Sequence, residues 1–212
     1  MARPARVSPD RILAAAALEF AERGFAGARV DRIARRARVN KAMLYYHFRS
    51  KQRLYRTLLR RTFTLAAAHM QAIAAGPGSP AEKVDRVIAG VAQLVREQAF
   101  FPAIMLREVA EGGAHLDRDT LLTLAAVPRA VGAVVQEGIA QGAFRDVNPL
   151  FAYFSIVAPV VFFLAAGPIR KEITALNLAN LQLAPDDFVR HMQDALRCAL
   201  ARTQVAPARP TP

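Results

Sequence analysis

Apolar residues recur every three or four positions along most of the chain, which is the spacing of amphipathic α-helices. In residues 8–23 this stripe includes Ile12 and Phe20, and it follows Ser8, a predicted N-cap, and Pro9, which suits a first helical turn. The C-terminal two thirds show no sustained alternation with period two and no Asn-Gly hairpin dipeptide. The pattern predicts an all-α protein.

Two short helices are predicted close together near the N-terminus. Gly24 ends the first helix, and apolar spacing then predicts helices over 30–36 and 40–47 around a turn near Arg38 and Val39. Two short helices joined by such a turn are typical of the helix-turn-helix, in which the second helix enters the DNA major groove. A domain of three helices at the N-terminus is therefore expected.

The remaining helices are bounded by Gly and Pro clusters. Ser50 is a predicted cap for a helix that runs to about residue 75, where the sequence Gly-Pro-Gly-Ser-Pro at 76–80 stops it. The tail 206–212 is rich in proline and is predicted to be disordered. Further helices are expected near 80–98, 102–111, 117–141, 149–167 and 186–203.

The excess positive charge lies entirely in the N-terminal part. The first 61 residues contain 16 Lys and Arg against 4 Asp and Glu, whereas residues 62–212 contain 13 of each. A basic block joined to a neutral apolar block suggests that the first block faces a polyanion. Double-stranded DNA is the expected partner, since a full helix-turn-helix pattern lies in the same block.

Several other classes of protein are disfavoured. The sequence has no Gly-rich phosphate loop, no nucleophile elbow and no zinc-ligand spacing, so no enzyme and no cofactor is predicted. His115 has Glu108, Glu111, Asp117 and Asp119 nearby, but acidic residues near a loop are usually solvated, and no metal site is predicted.

Cysteine usage and hydropathy predict the cellular location of the protein. A single cysteine, Cys198, excludes an internal disulfide, and no secretion signal is recognised, so we expect a cytoplasmic protein. The uncharged stretch 147–169 is long enough to cross a membrane, but Pro159 lies in its middle and no aromatic and basic collar flanks it. A buried packing helix is the preferred interpretation.

The second short helix carries the candidate DNA contacts. Leu44 and Phe48 lie four residues apart and are expected to face the core, while the remaining side chains point outward. Tyr45 and Tyr46 are not both needed to pack so small a helix, and their hydroxyls can donate to phosphate oxygens. Lys41 adds charge to this surface.

The runs Val30-Asp31-Arg32-Ile33-Ala34 and Leu44-Tyr45-Tyr46-His47-Phe48, followed by Ser50-Lys51, resemble the N-terminal signature of the TetR family of transcriptional regulators. The resemblance covers about residues 8–60. It implies an all-helical homodimer with an N-terminal helix-turn-helix domain and a C-terminal helical domain for ligand binding and dimerisation. It also implies a regulator, most often a repressor, released from a palindromic operator by a small-molecule effector.

The resemblance implies a set of DNA contacts, and the candidates include three positions where this chain departs from the family pattern, namely Arg29, Ala42 and Met43. Arg38 departs from the pattern as well. Met43 cannot donate a hydrogen bond, and Arg38 stands where a turn glycine is usual, so either the turn differs or its strain is tolerated. The candidate DNA-binding residues are Arg29, Asn40, Lys41, Ala42, Met43, Tyr45, Tyr46, His47 and Lys51.

The C-terminal part is expected to dimerise and to bind the effector. The helix 149–167 is apolar on nearly every face, so a partner subunit is needed to cover it. This helix and the amphipathic helix 186–203 are expected to form the dimer interface as an intersubunit four-helix bundle. The domains are placed at 1–53 and 54–205. For the effector, of unknown identity and expected to be hydrophobic, the candidate residues are Phe101, Ile104, Met105, Glu108 and Tyr153. Core packing is an equally open interpretation for them.

A different class of function stays open at this point. A basic domain could bind DNA by phosphate attraction alone, as a sequence-tolerant architectural protein. Such a protein would show a steep salt dependence of binding and little preference among sequences.

Overall fold

The computed structural model describes residues 8–202, so the tail predicted to be disordered lies outside the described residues. This part of the chain has no β-strand, only an isolated bridge between Phe144 and Ala201. The all-α class is confirmed. The helices are α1 (Pro9–Gly27), α2 (Val30–Arg36), α3 (Lys41–Phe48), α4 (Lys51–Ala75), α5 (Pro80–Glu97), α6 (Phe101–Ala110), α7 (Arg118–Ala140), α8 (Pro149–Ala165), α9 (Gly167–Ala175) and α10 (Pro185–Leu200).

The N-terminal helix boundaries follow the capping residues. The Ser8 hydroxyl accepts a hydrogen bond from the Asp10 N–H, and the Ser50 hydroxyl accepts one from the Arg53 N–H at 3.1 Å. Gly24 adopts φ 67°, a left-handed conformation that is easy for glycine, and α1 kinks there before one more turn ends at Gly27. These helix starts were visible in the sequence.

Helix α9 was not expected. The sequence predicted that a helix stops at Gly167 and Pro168 and that no helix lies between this stop and residue 186. Helix α9 nevertheless begins at that stop. Proline in the first turn of a helix costs no hydrogen bond, because the N–H groups of a first turn have no acceptor within their own helix. The same residues therefore end α8 and start α9, with a bend of 45° between the two helices.

The described residues form two compact units. Unit 1 comprises residues 8–68 and 93–127, and unit 2 comprises 69–92 and 128–202. Residue 53, where a domain boundary was expected, lies inside α4, and that functional boundary stays a prediction.

Unit 1 has a core built from the apolar stripes of its helices. Ile12 and Phe20 of α1, Ile33 of α2 and Leu44 of α3 are inaccessible to solvent, and they pack in one cluster with side chains of α4 and α6. Ile104 of α6 belongs to this cluster. The helix-turn-helix is therefore supported by a core that extends into α6.

A buried carboxylate joins α1 to the start of α2. Glu19 is 2% exposed, and its Oε1 accepts hydrogen bonds from Arg32 Nε at 2.7 Å and from the Arg29 N–H at 3.3 Å. Arg32 also donates to the Gly27 carbonyl at 3.0 Å. Glu19 was not among the residues predicted to have a role, because the sequence shows only an acidic residue beside the apolar stripe of α1.

In unit 2, α8 has two different faces. Ala152, Tyr153, Ile156, Val160 and Phe163 are buried, and the ring of Phe163 stacks on Phe188 of α10 at 3.9 Å. The opposite face is exposed in the single chain, with Phe151, Phe154 and Phe162 each 62–68% exposed. One chain therefore covers about half of this apolar helix.

Hydropathy alone does not select a spanning segment. No single helix among residues 8–202 is both long and apolar enough to cross a membrane, and only the bent pair of α8 and α9 passes such a test jointly.

We predict that Glu19→Gln lowers the free energy of unfolding by about 2 kcal/mol, because a buried hydrogen bond between charged groups is replaced by a weaker one. Thermal or urea unfolding followed by circular dichroism measures this change. The matched control is Glu22→Gln, since Glu22 pairs with Arg36 on the surface and should contribute less than about 1 kcal/mol. Equal effects of the two substitutions would contradict the role assigned to Glu19.

Candidate nucleic-acid interface

Helix α3 is held by two buried side chains and one cap. Leu44 and Phe48 are buried, as their spacing predicts, and the Asn40 Oδ1 accepts a hydrogen bond from the Met43 N–H at 2.7 Å. An isolated helix of eight residues would not be stable in water, so these contacts determine both its existence and its rotation. The rotation fixes which side chains face solvent.

The turn before α3 keeps the conformation that favours glycine, although it contains arginine. Arg38 has φ 53°, and the following N–H, that of Val39, donates to the Ala34 carbonyl at 2.9 Å. Of the two expected alternatives, the turn therefore keeps its usual conformation and the strain of a positive φ at Arg38 is tolerated. Arg49, which follows α3, also has a positive φ of 64°. An exposed arginine with positive φ thus lies on either side of α3, Arg38 in the turn before it and Arg49 directly after it.

The exposed face of α3 carries aromatic hydroxyls and one cation. Tyr46 is 74% exposed and Tyr45 40%, so neither ring is used for core packing. His47 is partly buried, with its ring in edge contact with that of Tyr46 at 5.2 Å. Lys41 forms an exposed ion pair with Asp31 at 2.9 Å, which lowers the pKa of Asp31 and raises that of Lys41.

The other predicted contacts differ in accessibility. Arg29 and Ala42 are exposed, and Met43 is partly buried. The backbone of Arg29 caps α2 and is bound to Glu19, which leaves its guanidinium on the surface. These positions have no further contact that assigns them a role in DNA binding, and they stay predictions.

Lys51 is engaged within the protein. Its ammonium donates to the carbonyls of Phe25 at 2.9 Å and Ala28 at 3.2 Å, and it lies 4.5 Å from the centre of the Phe25 ring. These carbonyls belong to the end of α1, where a cation is favourable. Sequence spacing could not reveal this use of Lys51, because Phe25 is 26 residues away in the chain.

The predicted effector residues fall into both units. Phe101, Ile104, Met105 and Glu108 lie on α6 in unit 1, and Tyr153 lies in unit 2. Ile104 is part of the core, and the Phe101 ring contacts that of Phe63 at 5.4 Å. Met105 also packs against that core. Burial raises the pKa of Tyr153.

Acidic residues in this region were expected to be solvated, but Glu108 is buried. It is 1% exposed, and its Oε1 accepts a hydrogen bond from the Tyr55 hydroxyl at 2.7 Å. Burial, with a smaller contribution from this hydrogen bond, raises the pKa of Tyr55, so the phenol stays protonated and acts as the donor. The burial depends on a tertiary contact with Tyr55 of α4, which lies 53 residues away along the chain.

Comparison with known proteins identifies the class. Residues 12–58 match the domain described as bacterial regulatory proteins, tetR family, and residues 80–195 match the tetracyclin repressor-like C-terminal domain. The second match alone covers more than half of the chain. The chain therefore belongs to the TetR family and is a DNA-binding transcriptional regulator, not an enzyme.

Individual relatives agree with this assignment. The HTH-type transcriptional repressor NicS of Pseudomonas putida is 29% identical over 196 residues, which cover 89% of this chain and 90% of NicS. The regulator RutR of Escherichia coli is 25% identical over 169 residues, 80% of this chain and 79% of RutR. The fold resembles that of the fatty acid degradation regulator FadR from Bacillus halodurans, with a TM-score of 0.69, 16% identity and coverage of 92% and 96% of the two chains.

We predict that Arg38→Gly raises the free energy of unfolding by about 1 kcal/mol, because glycine adopts a positive φ without the clash of a Cβ atom. Arg35→Gly is the matched control, since Arg35 lies within α2, where glycine costs about 1 kcal/mol. Chemical denaturation of both variants checks the opposite signs. Destabilisation by both would show that the turn imposes no strain on Arg38.

Proposed function

We propose that this chain is a cytoplasmic repressor that binds a palindromic operator as a homodimer and leaves it when a small hydrophobic effector binds. The observation that carries the DNA-binding part is the exposed face of α3, on which Tyr45, Tyr46 and Lys41 stand while Leu44 and Phe48 hold the helix. Tyrosine hydroxyls and lysine ammonium groups bind phosphate oxygens. Similarity to a relative named as a repressor favours repression over activation.

A basic face alone would also fit a sequence-tolerant architectural protein. Two features favour specific readout. Asn40 and Ala42 stand at the N-terminal end of α3, the end that reaches base edges in a helix-turn-helix, and the family assignment implies a dimer with two such helices. Two recognition helices about 34–36 Å apart meet successive turns of one major groove, which requires a palindromic site.

The exposed face of α8 is the proposed dimer interface. Phe151, Phe154 and Phe162 lie on one side of the helix, and Ser155 and Ala158 between them are also exposed. Three exposed phenylalanines on a helix are unusual for a surface in contact with water. The apolar stripe of α10, by contrast, packs mainly within its own chain against α8, so we assign α10 a smaller share of the interface than the sequence suggested.

For the effector site we retain Phe101, Met105 and the other two α6 residues of unit 1 as candidates, and Tyr153 of unit 2 is a separate candidate. Ile104 and Glu108 are each 1% exposed and are the least accessible of these five residues. Phe101 and Met105 are partly exposed and can contact a hydrophobic ligand. An effector that binds only the form with low DNA affinity would release the operator by shifting the population toward that form.

We predict that Phe154→Asp converts the dimer to a monomer at micromolar concentration, because a charge in the centre of an apolar interface loses its hydration. Light scattering coupled to size-exclusion chromatography measures the mass. Leu65→Asp is the matched control, since Leu65 is an exposed apolar residue of α4 in unit 1, and it should leave the dimer intact. A monomeric wild-type protein would overturn the proposed interface.

Selection from a random duplex library in about 0.15 M salt tests the regulatory function, because salt partly screens non-specific attraction. We expect enrichment of one palindrome. Tyr46→Phe should weaken binding to that palindrome by roughly tenfold or less, the contribution of one hydrogen bond, whereas Tyr153→Phe in unit 2 should not. Absence of any enriched sequence, together with a steep salt dependence, would favour the architectural alternative.

A further inference from the structure

Glu108 presents a polar atom that the fold leaves unpaired. One carboxylate oxygen, Oε1, lies 2.7 Å from the Tyr55 hydroxyl and 2.8 Å from His115 Nδ1. The other, Oε2, is inaccessible and has no hydrogen-bond partner among the described residues 8–202. Leaving a buried carboxylate oxygen without a donor is costly, and native proteins rarely do so without a functional reason.

Two further metal-ligating side chains reach the same place. Glu111 follows Glu108 by three residues at the end of α6, and its Oε2 lies 3.3 Å from His115 Nδ1. Gly112 and Gly113, with φ of 65° and 74°, turn the chain so that His115 lies against the end of the helix. One ligand atom from each of Glu108, Glu111 and His115 lies within 4.8 Å of the other two.

We propose that Glu108, Glu111 and His115 bind a divalent transition-metal ion, for which Zn²⁺ is the probe. One imidazole nitrogen and two carboxylate oxygens suit such an ion, with bonds of about 2.0–2.2 Å and a fourth position for water. The ion would replace the hydrogen bond between His115 Nδ1 and Glu108. It would also place a positive charge beside the unpaired oxygen.

The surroundings fit this assignment. The Tyr55 hydroxyl donates to Glu108 and orients it, which is the usual arrangement around a metal-binding carboxylate. Arg56 Nε donates to the backbone carbonyl of His115 at 2.9 Å. This bond holds the loop and uses none of the three proposed ligand atoms. The side chain of Glu111 is 45% exposed and gives an ion a path from solvent.

The site would act close to the DNA-binding helices. The His115 ring lies 4.1 Å from that of Phe25, whose carbonyl accepts from Lys51 just after α3. All of these residues belong to unit 1. A regulatory role for the ion rests on the proposed function, but ion binding itself does not, and it can be measured without DNA.

The experiment is a competition titration of Zn²⁺ against a chromophoric chelator, with full-length protein carrying Cys198→Ser so that the exposed thiol cannot bind the ion. We expect one ion per chain. Glu111→Gln should reduce the affinity by about tenfold or more while leaving the unfolding midpoint of the ion-free protein unchanged, since that side chain is half exposed. His115→Ala should also lose the ion.

His191→Ala is the matched histidine control, because His191 is exposed and lies in unit 2, and it should retain the wild-type affinity. Co²⁺ offers a second readout, since a tetrahedral site gives visible absorption that Glu111→Gln would remove. Failure of the wild-type chain to bind either ion at micromolar concentration would overturn the proposal. Equal affinity in the wild type and in Glu111→Gln would do the same. Operator selection by the same protein reports separately on the regulatory function.

Discussion

Burial of Leu44 and Phe48 is the constraint on which the DNA-binding surface depends. Helix α3 has eight residues, too few to be stable through its own hydrogen bonds, so the core of unit 1 supplies its stability. The same two contacts fix the rotation of the helix. Because side chains four residues apart share a face, placing Leu44 and Phe48 inward leaves Tyr45 and Tyr46 in solvent. Stability and recognition are therefore determined by one packing arrangement.

Charge is distributed around this arrangement in two ways. Some basic groups are used inside the domain, as Lys51 is at the carbonyls that end α1 and Arg32 is at the buried Glu19. Others stay at the surface, including Arg38 and Arg49 at the two ends of α3. The net charge of +12 in the N-terminal 61 residues already counts Arg32 against Glu19, but it includes Lys51, whose ammonium is bound to carbonyls of the same domain. The exposed basic side chains are the ones that can meet DNA phosphate.

Helix α8 of unit 2 is apolar on more faces than its own chain covers. One face of α8 is covered by its own chain, where Phe163 stacks on Phe188, and the other exposes three phenylalanines. Family membership implies a dimer, and a dimer through this face would remove the exposed rings from water. Hydrophobic burial at this face would then stabilise the dimer, and a dimer presents two recognition helices to the proposed palindromic operator.

The sequence by itself determined the helical class, most helix boundaries and the family, because these depend on local periodicity, capping residues such as Ser8 and a motif within about 50 contiguous residues. Its assignment of Leu44 and Phe48 to the core followed from spacing on one helix. The tertiary structure alone decided the roles of Glu19, Lys51 and Glu108. Their partners lie 7 to 53 residues away along the chain, and a charged side chain carries no local signal that it will be buried.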